Sequence, residues 1–392
     1  MRPDLRESAG AAAERLSDAL VASGFAGWDP YDALLSAALR AFARGRVGRL
    51  AAVQALKRSP VNVRPFLGVP KVRHTKALAL CASAYGRLAA VTDEGRYEEL
   101  SRALAGEVLA RAIPAGAGAG WGYEFDVQTR WGFYRAGQPN AVVTVFAAHA
   151  LLDVGQRSEA PDERLAAASS DALRYATSSL AVDAGRGERF FAYFEGSAVP
   201  VHNASLLVAS LVARAGERDG PEWRAAEAAV AYSLARQRPD GSWPYGEAPG
   251  LEWVDGYHTA YVLEALARWH EATGDPAAEA AVRRGLDLYI CRLVDPDGAP
   301  RATLDRRYPL DTHAAASAVG ALCNLIRYDE RAYDAAGRVL AWALATMTRR
   351  DGRFAFQRHR TYRNSISYIR WNDAHMLLAL ATYLTTEADG GA

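Results

Sequence analysis

A chain of 392 residues, 50% of them apolar, can bury a large core, and 46 Lys+Arg against 45 Asp+Glu leave a net charge of +1. That balance excludes the one-sided field with which a basic protein gathers nucleic acid or an acidic membrane. Only three of the cations are lysines (Lys57, Lys71 and Lys76), so the arginines reflect codon usage rather than a binding surface. Cys81, Cys291 and Cys323 are scattered through apolar helical stretches, which predicts buried free thiols in a reducing compartment. The opening MRPDLRESAGAAAERLSDALV carries acids where a secretory leader needs an apolar core, and no apolar run reaches the ~18 residues of a membrane span. The expected location is the cytoplasm.

Residues 1–25 read as an amphipathic helix with Leu5, Leu16, Leu20 and Val21 on one stripe, ended by Gly24 and Trp28-Asp29-Pro30. A second helix is expected over 31–56, through Leu34, Leu35, Ala38, Leu50 and Val53. The proline-punctuated stretch from Ser59 to Pro70 should be extended, because residues before proline avoid the α region. From there a rhythm sets in. A loop with aromatic residues, often with Asp-Gly, precedes a polar residue that opens an apolar helix.

The hairpin from Ala226 to Leu263 shows the unit. One helix runs to Gln237, Pro239-Asp240-Gly241-Ser242 must turn, and a second helix opens at Tyr257-His258-Thr259. Equivalent openings are His74-Thr75, Pro139-Asn140, Val201-His202-Asn203, Asp311-Thr312-His313 and Trp371 through His375. Asn203, His258 and His313 are 55 residues apart in both steps. Six modules of roughly 55–65 residues, two helices each, predict an all-α (α/α)6 toroid. The inner helices are the uniformly apolar ones (Leu206–Val212, Thr259–Ala267), and the outer ones carry charged faces (Glu222–Arg236, Pro276–Arg292). One domain is expected over 1–392, with lead helices to 56, hairpins over 57–385 and a disordered tail over 386–392.

In such a toroid every inner helix starts at the same rim, so polar residues at the starts and on the loops before them converge on one mouth. The convergent set is Tyr123, Glu124, Asp126, Arg130, Asn140, His202, Asn203, Trp243, Tyr245, Glu247, Asp255, His258, Arg301, Tyr308, Asp311, His313, Arg370, Trp371 and Asp373. Asn203, Thr259 and Asp311 also suit helix caps, and Trp121, Trp243 and Phe354 suit wedges between hairpins. His202, His258 and His313 stand out, since a cap needs no imidazole. Two schemes fit. Glu247 or Asp255 with Asp311 can act as the paired carboxylates of glycoside hydrolysis. Alternatively, His258 or Tyr257 can remove a proton beside a carbonyl while Arg301 or Arg370 holds the charge. Asp255, His258 and His313 are a weak ligand set without Cys or a close His pair, so no metal is expected. No nucleophile-elbow, phosphate-loop or dinucleotide motif is present, so no cofactor is expected either.

The stretch Ala231-Tyr232 to Leu234, with Gln237, Gly241, Ser242 and Trp243, resembles the QW repeat of squalene–hopene and oxidosqualene cyclases. Tyr257-His258-Thr259-Ala260-Tyr261 is similar to the helix opening that carries the zinc-binding His of protein prenyltransferase β subunits. Both resemblances imply an α/α barrel; the cyclase DxDD acid and the prenyltransferase Asp and Cys ligands have no counterpart here. Residues 57–71, 121–153, 201–207, 240–266, 308–318 and 351–380 together resemble the VpsJ-like family associated with polysaccharide biosynthesis. That resemblance implies a six-hairpin toroid and a glycan setting, and it assigns no catalytic residue. The leading expectation is a glycan-active enzyme using acid–base catalysis, hydrolysis or epimerisation, on a small-molecule or oligosaccharide substrate. An isoprenoid-active toroid and a non-catalytic glycan-binding scaffold are the alternatives. A polar mouth favours sugar; a greasy chamber with a deep acid favours isoprenoid.

Overall fold

A computed structural model describes residues 3–92, 94–157 and 162–386. Its fourteen α-helices begin with α1 (Pro3–Ala22), the short α2 (Ala37–Phe42) and α3 (Gly45–Arg58). Five hairpins follow: α4 (Thr75–Ala89) with α5 (Gly95–Ala110), α6 (Ala141–Arg157) with α7 (Glu163–Ser179), α8 (His202–Ala215) with α9 (Pro221–Leu234), α10 (Gly256–Thr273) with α11 (Pro276–Leu288), and α12 (Thr312–Asn324) with α13 (Arg331–Met347). The last helix is α14 (Ala374–Thr385).

The even-numbered helices from α4 to α14 pack side by side, and α14 returns to α4, so the inner wall is a closed ring. Each odd-numbered helix from α5 to α13 lies outside its own partner. The (α/α)6 toroid expected from the 55-residue period is the observed fold. One expectation changes: α1, read as a lead helix, packs on α14 and supplies the sixth outer position. Its buried stripe of Ala9, Ala12, Ala13, Leu16 and Leu20 has that wall as its partner. Residues 387–392, read as part of a tail, lie outside the described residues.

Burial follows the same division. Every residue of α8 from His202 to Val212 is buried, whereas α11 buries only a stripe, Ala278, Ala281, Val282, Gly285, Leu286 and Leu288. Aspartates set the helix starts: Asp255, Asp275 and Asp311 accept the amides of His258, Ala277 and His313.

The Asp-Gly turns fasten neighbouring hairpins. Gly241, Gly298 and Gly352 have φ of +88°, +85° and +78°. A Cβ there would stand 2.5 Å from the Arg284 carbonyl oxygen, 2.3 Å from that of Arg338 and 2.9 Å from that of Arg15. Those carbonyls belong to α11, α13 and α1, in each case the outer helix of the next hairpin, so the third contact closes the circle. Gly298→Ala is expected to lose about 2–4 kcal/mol by strain and overlap, read by urea denaturation. Gly320→Ala, on α12 with nothing within 4 Å of its Cβ, should be neutral or stabilising by about 0.5–1 kcal/mol.

The helix expected over 31–56 is broken. Asp32–Leu35 is a 3-10 turn, Ser36 caps α2 by accepting the Leu39 amide, and Gly45 opens α3 with a φ of +67°. The stretch expected to be extended also turns, at Arg64–Gly68, because the buried Arg64 guanidinium reaches Asp32 at 2.8 Å, Tyr368 Oη at 2.9 Å and the Asp29 carbonyl at 2.9 Å. Residues 25–72 thereby form an arch with its own small core of Ala33, Leu34, Val53, Leu56 and Val69. Asp29 pins the arch to the opening of α14 by a bidentate pair with Arg370, at 2.6 and 2.8 Å. Cys81 and Cys323 are buried as expected, but Cys291 is exposed, on the outer face beside Asp287 and Arg331. No helix among the described residues is long and apolar enough to cross a membrane.

Candidate active site

The inner helices present one layer of side chains near their starts. Lys76, Val142, Asn203 and His313 are each the second residue of their helix, and His258 is the third of α10. All five line a chamber of about 200 Å³ at the N-terminal rim. Phe146 and Tyr261, one turn deeper, meet edge to face at 5.6 Å and form its floor. Arg370 and Trp371 enter from the π-turn Ile369–Asp373 ahead of α14, a distortion that recurs at functional sites. Tyr31 of the arch and the loop residues Tyr123, Trp131, Tyr134, Tyr193, Tyr245 and Trp253 complete the wall. Ten of the eighteen lining residues are Trp or Tyr, and none is a carboxylate.

His258 is held in one orientation. Asp255 Oδ2 lies 2.8 Å from its Nδ1, so the ring hydrogen sits on Nδ1 and the Nε2 lone pair is left for the chamber. Trp253 Nε1 donates to the same carboxylate at 2.9 Å, and the imidazole lies between the rings of Tyr245 and Tyr257, at 4.4 and 4.0 Å. Tyr257, beside it, is half-buried. Burial and then the Asp255 charge push its phenol well above the usual range, so it stays protonated. His313 is the complement. Burial, then His375, Lys76, Arg370 and His258, hold it well below the ordinary histidine range, so it is neutral. Its Nε2 is 2.7 Å from Tyr261 Oη, and its Nδ1 has no hydrogen-bond partner among the described residues. The His375 ring lies tilted against it, with centroids 4.0 Å apart. Asn203 Oδ1 is likewise buried without a partner among the described residues. Lys76 is 3% exposed, and burial followed by the charge of Arg370 holds it well below the ordinary lysine range.

A second cavity, of about 100 Å³, lies beneath the floor, toward the C-terminal ends of the inner helices. Its carboxylates are already engaged: Asp153 by Arg214 at 2.7 Å and Ser83 at 2.7 Å, Glu264 by Asn324 at 2.7 Å. Among the described residues buried polar atoms without a partner occur in both cavities, His375 Nε2 and Ser317 Oγ in the lower and Asn203 Oδ1 and His313 Nδ1 in the upper. The upper chamber, twice the volume and at the rim where the loops converge, is the candidate site.

Comparison with solved structures returns the same ring. An unsaturated glucuronyl hydrolase specific for heparin superposes with a TM-score of 0.63 over 97% of this chain and 96% of its own, at 13% identity. Cellobiose 2-epimerase of Bacillus thermoamylovorans B4167 gives 0.62 over 80% and 87%, at 10% identity. A D-mannose isomerase gives 0.59 over 80% and 88%, at 12% identity. The likeness is one of fold. In sequence, the drimenyl diphosphate synthase of Streptomyces showdoensis is 33% identical over 178 residues, 45% of this chain and 30% of the synthase. The chain thus matches less than a third of that relative's length. No protein-family model matches the chain.

Of the expected convergent set, the structure brings Tyr123, Asn203, Tyr245, His258, His313, Arg370 and Trp371 into the chamber. Asp255 and Asp311 stand behind its wall. Asp311 accepts from Trp371 Nε1 at 3.0 Å, the His313 amide at 2.8 Å and Gln357 at 2.7 Å. Other residues go elsewhere. His202, one position before Asn203, points outward to Ser233 and Glu247, because one residue is about 100° of helix. Glu247 is engaged outside the ring by Arg236 at 3.0 Å and Tyr232 at 2.9 Å, so it faces neither Asp255 nor Asp311 across the chamber. Glu124 accepts from the Thr75 amide at 2.6 Å, Asn140 from that of Val143 and Asp126 from that of Ala136. Trp243 is a buried wedge donating to the Ser233 carbonyl at 2.8 Å. Arg301 pairs with Asp295, Asp373 with Arg353, and Tyr308 and Arg130 are exposed. Asp255, His258 and His313 do not gather as a metal cluster among the described residues. Lys76, Tyr31, Trp131, Tyr134, Tyr193, Trp253 and Tyr261 were not singled out beforehand. Lys76 carries the one usable signal, its place just inside the His74-Thr75 opening.

His202 supplies a pH prediction. Burial, then Arg236 and Arg238, lower it from 6.5 to about 4, outweighing Glu247 at 3.3 Å. A depressed folded value means the unfolded chain takes the proton first. The stabilisation is therefore complete above pH 6.5 and is lost as pH falls toward 4, by about 3 kcal/mol. His202→Asn should flatten that part of a urea-midpoint profile against pH.

Proposed function

We propose that the protein is a sugar isomerase, moving a proton between adjacent carbons of an open-chain aldose, with His258 as the base. The observation that carries this reading is the Asp255–His258 dyad facing an aromatic chamber with no lining carboxylate. Aromatic faces suit the C–H faces of a sugar, and the buried unpartnered Asn203 Oδ1 and His313 Nδ1 call for a ligand rich in hydrogen-bonding groups. A paired-carboxylate hydrolysis lacks its facing acids in this chamber. The cellobiose 2-epimerase and D-mannose isomerase among the similar folds favour the same chemistry.

His258 Nε2 takes the proton from the carbon beside the carbonyl, and the C–H pair becomes the carbon–carbon double bond of an enediolate while the carbonyl π pair moves to oxygen. Asp255 balances the imidazolium so formed. Neutral His313 passes a proton to that oxygen and takes one from the neighbouring hydroxyl, a task suited to an imidazole held uncharged. His258 then returns its proton to the former carbonyl carbon, and a ketose results. The resemblance to polysaccharide-associated proteins supports a part for this step in the supply of glycan precursors. Incubation with a panel of aldoses, read by chromatography, is expected to give ketose. Release of new reducing ends from an oligosaccharide instead would make the protein a hydrolase.

The ten aromatic rings and the match to drimenyl diphosphate synthase favour a second reading, an isoprenoid in the same chamber. That reading lacks, among the lining residues, the carboxylic acid that would protonate an alkene.

A further inference from the structure

Lys76 has no role in the proton transfer, yet its side chain ends inside the chamber. It is 3% exposed, and its ammonium rests 4.1 Å above the Phe146 ring and 5.6 Å from that of Tyr261. No carboxylate reaches it among the described residues. A lysine this buried is rare unless paired, and a lone ring face offsets only part of the lost hydration. Arg370 offers a second cation at the same place. Its Nε and Nη2 are taken by Asp29, while Nη1 makes no hydrogen bond among the described residues. Arg370 is thus paired with Asp29, while the Lys76 amine, whose charged form burial and the Arg370 charge disfavour, has no anion of its own to hold its proton.

We infer that the substrate supplies the missing charge: it carries an anionic group, a carboxylate or a phosphate, that sits between Lys76 Nζ and Arg370 Nη1 on the chamber floor. This deepens the isomerase reading by narrowing its substrates to acidic sugars, such as a uronate or a sugar phosphate. The anion would also fix which end of an open-chain sugar lies near His258, because it can dock only at the side of the floor below α4 and α14.

The test is calorimetric titration of the wild-type protein and of Lys76→Met with glucose, glucuronate, glucose 6-phosphate and geranyl diphosphate. Wild type is expected to bind at least one acidic sugar 10-fold or more tighter than glucose, and Lys76→Met to erase that preference while melting no lower than wild type. Which acidic sugar binds identifies the anion as carboxylate or phosphate. Equal affinity of wild type for glucose and both acidic sugars overturns the inference, and that comparison needs no variant to fold. Lower thermal stability of Lys76→Met with an unchanged preference also overturns it, by making Lys76 structural. Tight, Lys76-dependent binding of geranyl diphosphate alone would keep the anion site and remove the sugar reading, so the two fail separately.

Discussion

His258→Asn is expected to lower turnover about 10²–10⁴-fold, the span that a positioned general base contributes, while the melting temperature stays close to that of wild type. The side chain is only partly buried, and its neighbours Tyr245, Tyr257 and Trp253 remain to fill the wall. Asp255→Asn should show a loss of similar order for a different reason. An amide nitrogen opposite Nδ1 reverses the hydrogen bond, moves the ring hydrogen to Nε2 and removes the lone pair from the chamber. Asp255 also caps α10 through the His258 amide, so Asn, itself a good cap, is the informative substitution and Ala is not. Steady-state kinetics with a denaturation curve for each variant separates the effects. Activity within 10-fold of wild type in His258→Asn would exclude the base.

The largest stability loss is expected at Asp29. Its carboxylate is fully buried, bidentate to Arg370, and also accepts the Tyr31 amide at 2.9 Å. Charge and hydrogen bonds from Arg370 hold it below the usual carboxylate range despite burial. Asp29→Ala leaves a buried guanidinium without its partner, which costs about 3–5 kcal/mol, and frees the arch from the rim. Asp29→Leu with Arg370→Met should cost clearly less than Asp29→Ala alone, because no orphan charge remains. Urea denaturation of the three proteins decides it. A loss below about 1 kcal/mol for Asp29→Ala, the scale of a surface pair, would show that the arch is not anchored there.

Much of the fold was legible because its devices are local. Proline and glycine end helices wherever they fall, and Gly241, Gly298 and Gly352 recur because each turn meets the next outer helix at the same place. The place of α1 was not legible, since a single amphipathic helix does not say which neighbour covers its stripe. Within the site, the 55-residue step put Asn203, His258 and His313 in phase, and the chamber holds all three. His202 broke phase by one residue. The acids misled for a physical reason: a carboxylate at a helix start is as useful to backbone amides as to a substrate, and Asp311 and Glu124 serve the amides. The aromatic wall was invisible because Tyr31, Trp131 and Trp253 come from separate stretches that meet only once the ring and arch are closed. Trp131 and Trp253, 122 positions apart in the chain, lie 5.4 Å from each other.

The central claim is that His258 removes a carbon-bound proton from a sugar. Proton NMR of an accepted aldose incubated in deuterium oxide follows that bond directly. Wild-type protein should erase the signal of the hydrogen beside the carbonyl as ketose appears, and His258→Asn should leave it intact. Ketose formation, or exchange of that hydrogen, undiminished in His258→Asn would contradict the account.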